Sequence, residues 1–355
     1  MAELTEIHPH IEAVSQEIKE TPIHVFIWRR VQRYAPGILL LVAVGYFALV
    51  CSYFLTGLSY IPMSIILGAF ISNSFGLHPA LEKGISTYEL WLKVGIVLLG
   101  AQVAFTQLGI YWLKVLPLAI LIVLLGFFIT LAIGKCFRLP RPLTILIAAG
   151  SGICGVSAII NTSKRIGASE EETEYAVGTV LVFGALAIVL YPILGRLLGL
   201  SEQIYGTWTG LSVNNTAEVV ATGYTLGAVA GTIAIATKLC RILTLGAVIS
   251  IIDRIDSRES TPGDITIRNI WKHTPKFILA FVVLSIVSSL GFLSAEDKTS
   301  LYNLSSWFFL MAFAGIGFRL RWSDLSKIGY RPLLAGGIST LFIASISLVI
   351  SMIIT

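Results

Sequence analysis

Residues 142–161 read PLTILIAAGSGICGVSAIIN, and this stretch decides what kind of fold the chain can adopt. A helix of roughly 20 apolar residues spans the hydrocarbon core of a bilayer, so the length fits a membrane helix. Gly150, Gly152 and Gly155 interrupt it, and each glycine inside a helix costs about 1 kcal/mol relative to alanine. The stretch therefore predicts a membrane helix that is broken in its middle. Close packing of helices through small residues is the alternative explanation.

A break at this depth has a chemical consequence. Non-helical backbone survives in a membrane only where protein or water surrounds it. The second half of such a helix presents unpaired N–H groups at its amino end, and these groups bind anions. The residues that we expect to contact an anion here are Gly150, Ser151, Gly152, Gly155 and Ser157.

The composition of the whole chain agrees with a membrane location. Of 355 residues, 55% are hydrophobic and 13% are charged, about half of the charged fraction of soluble domains, which is roughly 25%. This excludes an ordinary cytosolic enzyme, a secreted disulfide scaffold and a disordered protein. The net charge of +5 comes from short segments between apolar runs, so it does not indicate binding to nucleic acid.

Apolar windows of suitable length predict an all-α membrane protein with about eleven transmembrane helices. Residues 1–35 form a cytoplasmic N-terminal lead-in, residues 36–355 form one polytopic domain, and the polar residues 255–272 form a cytoplasmic loop. The windows are 36–56, 61–77, 88–105, 114–135, 142–161, 174–195, 204–222, 224–250, 274–294, 303–318 and 332–354.

The distribution of positive charge supports this count and gives an orientation. With the N-terminus in the cytoplasm, eighteen of the 25 Lys and Arg residues lie in inner segments, four in outer segments and three within spans. Cytoplasmic loops are the ones that carry an excess of Lys and Arg. We therefore expect a cytoplasmic N-terminus and an outer C-terminus.

A weak internal repeat is visible at an offset of 217 residues. The run GAQVAFTQLGIYWLKVL (100–116) aligns with GFRLRWSDLSKIGYRPL (317–333). The two runs end the third and tenth spans, which point in opposite directions. This arrangement predicts an inverted repeat, which is common in secondary transporters. Chance similarity between two Gly- and Leu-rich segments is the alternative.

The seventh span contains polar residues at membrane depth. In LSVNNTAE (211–218), Asn214 and Glu218 are four residues apart and share one helix face. Buried amide and carboxylate groups are costly unless they are paired or hydrated. We expect Asn214 and Asn215 to contact a substrate and Glu218 to bind a coupling ion or a proton. The alternative is that residues 204–216 form a surface loop.

The eighth span carries two cations near its centre. Lys238 and Arg241 are three residues apart, so they lie on one face of the helix. Two cations at this depth need a carboxylate, backbone carbonyls or an anionic substrate as partner. The hypotheses are a binding site for an anion and a structural ion pair, for instance with Glu218.

Motifs for other kinds of chemistry are absent from the sequence. There is no Walker A sequence, HExxH or GxSxG, so we expect no catalytic residue, no cofactor and no resident metal. Cys51, Cys136, Cys154 and Cys240 show no metal-ligand spacing. A membrane enzyme would have Cys154 as its one candidate reactive group.

Several of these stretches together resemble a bacterial membrane family labelled sulfate exporters, the YeiH-like proteins. The resemblance covers most of residues 85–355. It rests on AAGSGICGVSAI (148–159), VFGALAIVLYP (182–192), GLSVNNTAEVVATG (210–223), TKLCRIL (237–243) and GFRLRWSDLSKIGYRPLL (317–334). It implies a multi-pass transporter of the bacterial inner (cell) membrane, distantly similar to inverted-repeat cation and bile-acid transporters.

These observations together predict a secondary transporter, an exporter of a small anion such as sulfate or a sulfonate, working by alternating access. The expected partners are the anion, membrane lipid and a coupling H⁺ or Na⁺, and the sequence leaves a homodimer open. The alternatives are a cation-coupled carrier of a neutral or cationic solute and a membrane subunit that transports nothing.

Overall fold

The computed structural model describes residues 23–54, 60–153, 155–244, 275–320 and 329–354, and every regular element in these ranges is a helix. Within these ranges, six helical segments are long and apolar enough to cross a membrane. They are Val31–Phe54, Pro79–Gln102, Leu108–Cys136, Glu170–Leu197, Ala295–Arg319 and Tyr330–Ile354. The protein is therefore an all-helical, multi-pass membrane protein in the part of the chain that is described.

The α-helices of these ranges are numbered here in chain order. They are α1 (Ile23–Phe54), α2 (Tyr60–Phe75), α3 (Pro79–Ile85), α4 (Tyr88–Leu99), α5 (Phe105–Cys136), α6 (Arg141–Gly152), α7 (Val156–Ile166), α8 (Glu170–Leu197), α9 (Glu202–Ser212), α10 (Thr216–Leu226), α11 (Ala228–Ile242), α12 (Lys276–Ser289), α13 (Ala295–Arg319) and α14 (Tyr330–Ile354). A short 3₁₀ helix, Gly100–Gln102, follows α4.

Each of the eleven predicted windows overlaps at least one of these helices. α1 begins at Ile23, well before the predicted boundary at residue 36, because an apolar window detects the lipid-spanning part of a helix and not its polar extension. The predicted loop 255–272, residues 321–328 of the predicted repeat and Cys154 lie outside the described residues.

The window 142–161 contains a broken helix, as its glycines predict. α6 ends at Gly152 and α7 starts at Val156. Gly155 has φ 67° and ψ −129°, a backbone conformation that is open to glycine and strained for other residues. Gly150 also serves close packing, since a Cβ there would lie 2.7 Å from the Ile159 side chain.

The window 204–222 is broken as well. α9 ends at Ser212, and the backbone is extended at Val213 and Asn215 before α10 begins. Residues 205–212 of α9 are all buried. The alternative of a surface loop over 204–216 is therefore wrong. The low density of apolar residues suggested a loop because α9 packs closely against α11 through Gly206 and Gly210 and not through large apolar side chains.

The helices pack as two bundles. The first bundle comprises α1–α4, α12 and α13, and the second comprises α5–α11 and α14. Between the bundles, α10 contacts α2 and α13, and α12 contacts α5. Tyr224 of α10 and Phe309 of α13 bring their ring centroids to 5.6 Å. Both broken helices thus belong to the second bundle, and α10 faces the first.

Candidate functional site

Two cations are buried in the centre of the second bundle. Lys238 and Arg241 lie on α11, and both have 0% solvent exposure. Thr244, one turn further along, is also buried and donates its hydroxyl to the Arg241 carbonyl at 2.6 Å. α11 packs against α5, α9 and α10, so charges on this face cannot reach bulk water and need partners inside the protein.

Lys238 obtains its partners from both helix breaks. Its Nζ donates to the carbonyl oxygens of Ile153 at 3.1 Å, Val213 at 2.9 Å and Asn214 at 2.5 Å. An ammonium has three N–H donors, so three carbonyls match its full donor set. One ammonium thereby joins the break after α6 to the break after α9.

Arg241 bridges the same two breaks one turn further along α11. Its Nη2 donates to the carbonyl oxygens of Ser151 at 2.6 Å and Gly152 at 2.7 Å, and its Nε donates to Gly152 at 3.1 Å. Its Nη1 donates to the carbonyl oxygen of Leu211 at 2.7 Å. The planar guanidinium has donors along two edges, so it can hold both chain ends at once.

The carbonyls that bind these cations belong to the carboxyl ends of α6 and α9. The last four carbonyls of a helix lack partners within the helix, and the helix dipole adds partial negative charge there. Lys238 and Arg241 offset that charge. Main-chain carbonyls were one of the three kinds of partner that the sequence left open. Lys238 also interacts electrostatically with the Glu218 carboxylate.

The amino ends of α7 and α10 meet at the same place. A Cβ built on Gly155, which precedes α7, would lie 3.1 Å from both Cα and Cβ of Asn215, which precedes α10. Neither helix has a side-chain hydrogen bond from its N-cap residue. The first-turn N–H groups of a helix carry partial positive charge and can hold an anion. The site thus brings two amino ends without side-chain caps beside two carboxyl ends that Lys238 and Arg241 neutralise.

Glu218 lies in the first turn of α10 with 3% exposure. Asn215 forms hydrogen bonds with its carboxylate, whereas Oε2 has no hydrogen-bond partner. A Cβ built on Gly184 of α8 would lie 1.6 Å from Oε2. The carboxylate therefore occupies space that any larger residue at position 184 would fill.

The remaining predicted residues take different positions around this point. Gly150, Ser151 and Gly152 form the buried last turn of α6. Asn214 is 2% exposed, and its Oδ1 has no hydrogen-bond partner. Ser157 in the first turn of α7 is exposed. Apart from Ser157, the predicted residues converge where the two broken helices cross.

Sequence reasoning missed two features of the site. Gly184 lies in a uniformly apolar run, so nothing polar indicated that it accommodates Glu218. Tyr111 of α5 lies outside the predicted spans, and its hydroxyl is 3.0 Å from Thr207 Oγ1 of α9 and 2.5 Å from Thr237 Oγ1 of α11. Only the folded chain brings these groups together.

The described residues contain no group of three or more His, Cys, Asp or Glu residues that could hold a metal ion. Within the same part of the chain, Cys51, Cys136 and Cys240 are free thiols, and Cys240 is buried in α11. Cys154, the candidate reactive group of the enzyme hypothesis, lies outside the described residues.

Comparisons with known proteins give a consistent family assignment. Residues 36–336 match the family model described as Conserved hypothetical protein 698. A UPF0324 membrane protein of Clostridium tetani is 30% identical over 91% of this chain and 98% of that relative. Others from Corynebacterium glutamicum and Pseudomonas aeruginosa are each 31% identical, over 89% and 86% of this chain and 92% and 90% of the relatives.

Proposed function

This chain belongs to the family of Conserved hypothetical protein 698, to which the YeiH-like membrane proteins also belong, and from that premise we propose that it is a secondary transporter of a small anion. The observation that carries the proposal is the charge arrangement at the crossing of the two broken helices. The carboxyl ends of α6 and α9 are neutralised by Lys238 and Arg241, whereas the amino ends of α7 and α10 have no side-chain hydrogen bond from their N-cap residues.

This arrangement favours an anion over a cation. Unpaired N–H groups at two amino ends supply hydrogen-bond donors and partial positive charge. The two buried cations add a positive field from the other side of the crossing. Carbonyl oxygens already accept hydrogen bonds from Lys238 and Arg241, so these side chains attract the anion through their charge and not through direct hydrogen bonds. They also keep the ends of the broken helices in position around the anion.

Each side chain of the site has a role in this proposal. The backbone N–H groups of Val156 and Ser157 hold the anion, because the Gly155 N–H already donates to the Gly150 carbonyl at 3.0 Å, and Asn214 and Asn215 orient the anion. Sulfate or a sulfonate is the cargo class, because several donors around a tetrahedral oxyanion match this set of amides. The cargo leaves the cell unchanged.

The proposal includes a topology of eleven spans with an inverted repeat and alternating access of the crossing to the two sides of the membrane. It also includes a cytoplasmic N-terminus and a location in the bacterial inner membrane. The excess of Lys and Arg in the segments assigned to the cytoplasm supports this orientation. The two broken helices support the transporter fold, because such folds bind substrates at discontinuous helices.

A cation-coupled carrier of a neutral or cationic solute is the second candidate. The observation in its favour is that Asn214 Oδ1 and Glu218 Oε2 are buried acceptors without hydrogen-bond partners, and such oxygens are ligands for hard cations. A subunit that transports nothing would show no saturable flux of any solute.

Counterflow in proteoliposomes tests the proposal. Vesicles loaded with unlabelled sulfate, methanesulfonate or a carboxylate should accumulate the labelled anion, and mass spectrometry should recover it unaltered. We expect Gly155→Ala to lose most of this flux, because the Cβ meets Asn215. Gly199→Ala is the matched control, since Gly199 also has positive φ but no neighbour within 4 Å of a Cβ. Absence of anion flux in the unsubstituted protein would contradict the proposal.

A further inference from the structure

The two amino ends at the crossing differ in one respect. The first turn of α7 contains no acidic residue, whereas the first turn of α10 contains Glu218. A carboxylate in the first turn stabilises a helix by interacting with its dipole. α10 therefore carries an anion of its own, and α7 does not.

The carboxyl ends of α6 and α9 at the crossing also have charged partners, and these are side chains of the protein itself. In transporters with broken helices, half-helix carboxyl ends and unwound carbonyls are the groups that coordinate a coupling cation. Here those carbonyls, at Gly152, Ile153 and Val213 among others, accept hydrogen bonds from Lys238 and Arg241. Two tethered side-chain cations thus fill the positions that Na⁺ would need.

We propose that Glu218 takes up one proton for each anion that binds at the amino end of α7, and that Na⁺ takes no part in this coupling. The inference rests on the proposed function, because it requires an anion at the crossing. It assigns the coupling ion and the residue that carries it. The second observation that supports it is the buried Oε2 of Glu218, which has no hydrogen-bond partner until it is protonated or meets a donor.

The neighbours of Glu218 offer little compensation for a second negative charge. Among the described residues, Lys238 of α11 interacts electrostatically with Glu218, and its ammonium is shared among three carbonyls. On α8, the residue next to the Glu218 carboxylate is Gly184, which has no side chain to compensate the charge. On the other packed elements, Tyr88 of α4 interacts electrostatically with Glu218 and forms a hydrogen bond with the Arg319 cation of α13. Tyr205 of α9 donates its hydroxyl to the Thr222 carbonyl of α10.

Because Gly155 and Asn215 are in contact, an anion at α7 lies beside the carboxylate at α10. Two anions at this distance in a water-poor site repel each other strongly. Protonation of Glu218 removes one charge and gives Oε2 a donor. Anion binding and proton binding then favour each other reciprocally, which yields symport of the two.

Calorimetric titration of the purified full-length protein tests this coupling. Sulfate and methanesulfonate are the probes, each as its sodium and its potassium salt. Titrations in buffers of different ionisation enthalpy give the number of protons taken up. We expect about one proton per anion, an affinity that falls about tenfold per pH unit once Glu218 is ionised in the free protein, and equal affinity with sodium and potassium.

Two carboxylate-to-amide variants separate the coupling from general effects. We expect Glu218→Gln to bind anion with a proton uptake near zero and an affinity independent of pH. Glu202→Gln should keep the proton uptake of the unsubstituted protein. Glu202 is an exposed carboxylate at another helix amino end, where it accepts a hydrogen bond from the Ala230 N–H at 3.0 Å.

The outcomes distinguish the inference from the proposed function. Anion binding without proton uptake, proton uptake that survives Glu218→Gln, or a requirement for Na⁺ would overturn the inference and leave an anion transporter. Failure of both anions to bind or to be transported would overturn the proposed function itself. Should Glu218→Gln fail to fold, the proton count and the pH dependence of the unsubstituted protein decide the question alone.

Discussion

The main chain supplies the hydrogen-bond partners of the buried Lys238 and Arg241 side chains. Both have 0% exposure, and their donors reach carbonyls on two separate helix ends. Removing one partner from a buried charged network costs more than the network contributes, since the remaining groups are left desolvated. These side chains therefore stabilise the contact between the two broken helices and also give that region positive charge.

We expect Lys238→Met to lower the free energy of unfolding by about 3–5 kcal/mol. Methionine keeps most of the stem volume but leaves the carbonyls of Ile153, Val213 and Asn214 without their common donor. Thermal unfolding in detergent measures the effect. Lys164→Met is the control, because Lys164 is exposed on α7. Equal loss of stability in both variants would contradict the structural role of Lys238.

At the scale of one element, α7 combines an amino end at the crossing with a polar outer face. Ser157, Asn161 and Lys164 are exposed at successive positions one turn apart, whereas Ala158, Ile159, Thr162 and Ser163 are buried. A polar face on a helix that starts at membrane depth is unfavourable against lipid. We therefore expect this face to line a water-filled path that leads from the membrane surface towards the amino end of α7.

Cysteine labelling checks this path. In a background with the four native cysteines replaced by alanine, we expect Ser157→Cys, Asn161→Cys and Lys164→Cys to react with a charged, membrane-impermeant thiol reagent, because the reactive thiolate requires water. Val189→Cys is the control. It is 58% exposed on the apolar surface of α8, so it should face lipid and stay unreactive. Protection of positions 157 and 161 from the reagent would exclude a wet face.

The sequence predicts where helices form and break better than it predicts which residues contact one another. Gly150, Gly152 and Gly155 disfavour a continuous helix whatever surrounds them, so the break in 142–161 is predictable and is confirmed. Asn214, Asn215 and Glu218 are conspicuous because polar groups are costly in lipid. The sequence does not reveal that Gly184 makes room for the Glu218 carboxylate, because glycine is common in membrane helices. It also does not reveal which carbonyls bind Arg241, because every residue has a carbonyl.

At the scale of the whole molecule, the candidate site belongs to one bundle and faces the other. Ala217, Val220 and Ala221 of α10 share a hydrophobic cluster with residues of α2, α4 and α13. Alternating access requires the bundles to move relative to each other. The α10 contact with the first bundle would then break or slide during each transport cycle.

A cross-link across this contact should stop transport without stopping binding. We expect Tyr224→Cys with Phe309→Cys, joined by a short bifunctional maleimide, to abolish counterflow while sulfate still binds. The parent rings lie 5.6 Å apart on different bundles. Trp91→Cys with Phe308→Cys is the matched control, because those rings lie 5.4 Å apart within the first bundle. Undiminished flux in the cross-linked Tyr224/Phe309 pair would contradict movement between the bundles.

The predicted number of spans and their predicted orientation rest on two patterns in the sequence, namely the apolar windows and the placement of Lys and Arg. The division into two bundles does not follow from these patterns, because adjacent helices such as α4 and α5 belong to different bundles while α14 joins helices far from it in sequence. Both bundles contain helices that are long and apolar enough to cross a membrane, so an apolar window by itself does not assign a helix to a bundle.

Selenate bound to crystals of the protein gives the most direct measurement of the central claim, since selenium marks the anion by its anomalous scattering. The account predicts one strong peak between the amino ends of α7 and α10, within hydrogen-bond distance of the N–H groups that follow Gly155. It also predicts that Gly155→Ala removes this peak. A selenate peak confined to exposed cations such as Lys164, with the crossing empty, would contradict the account.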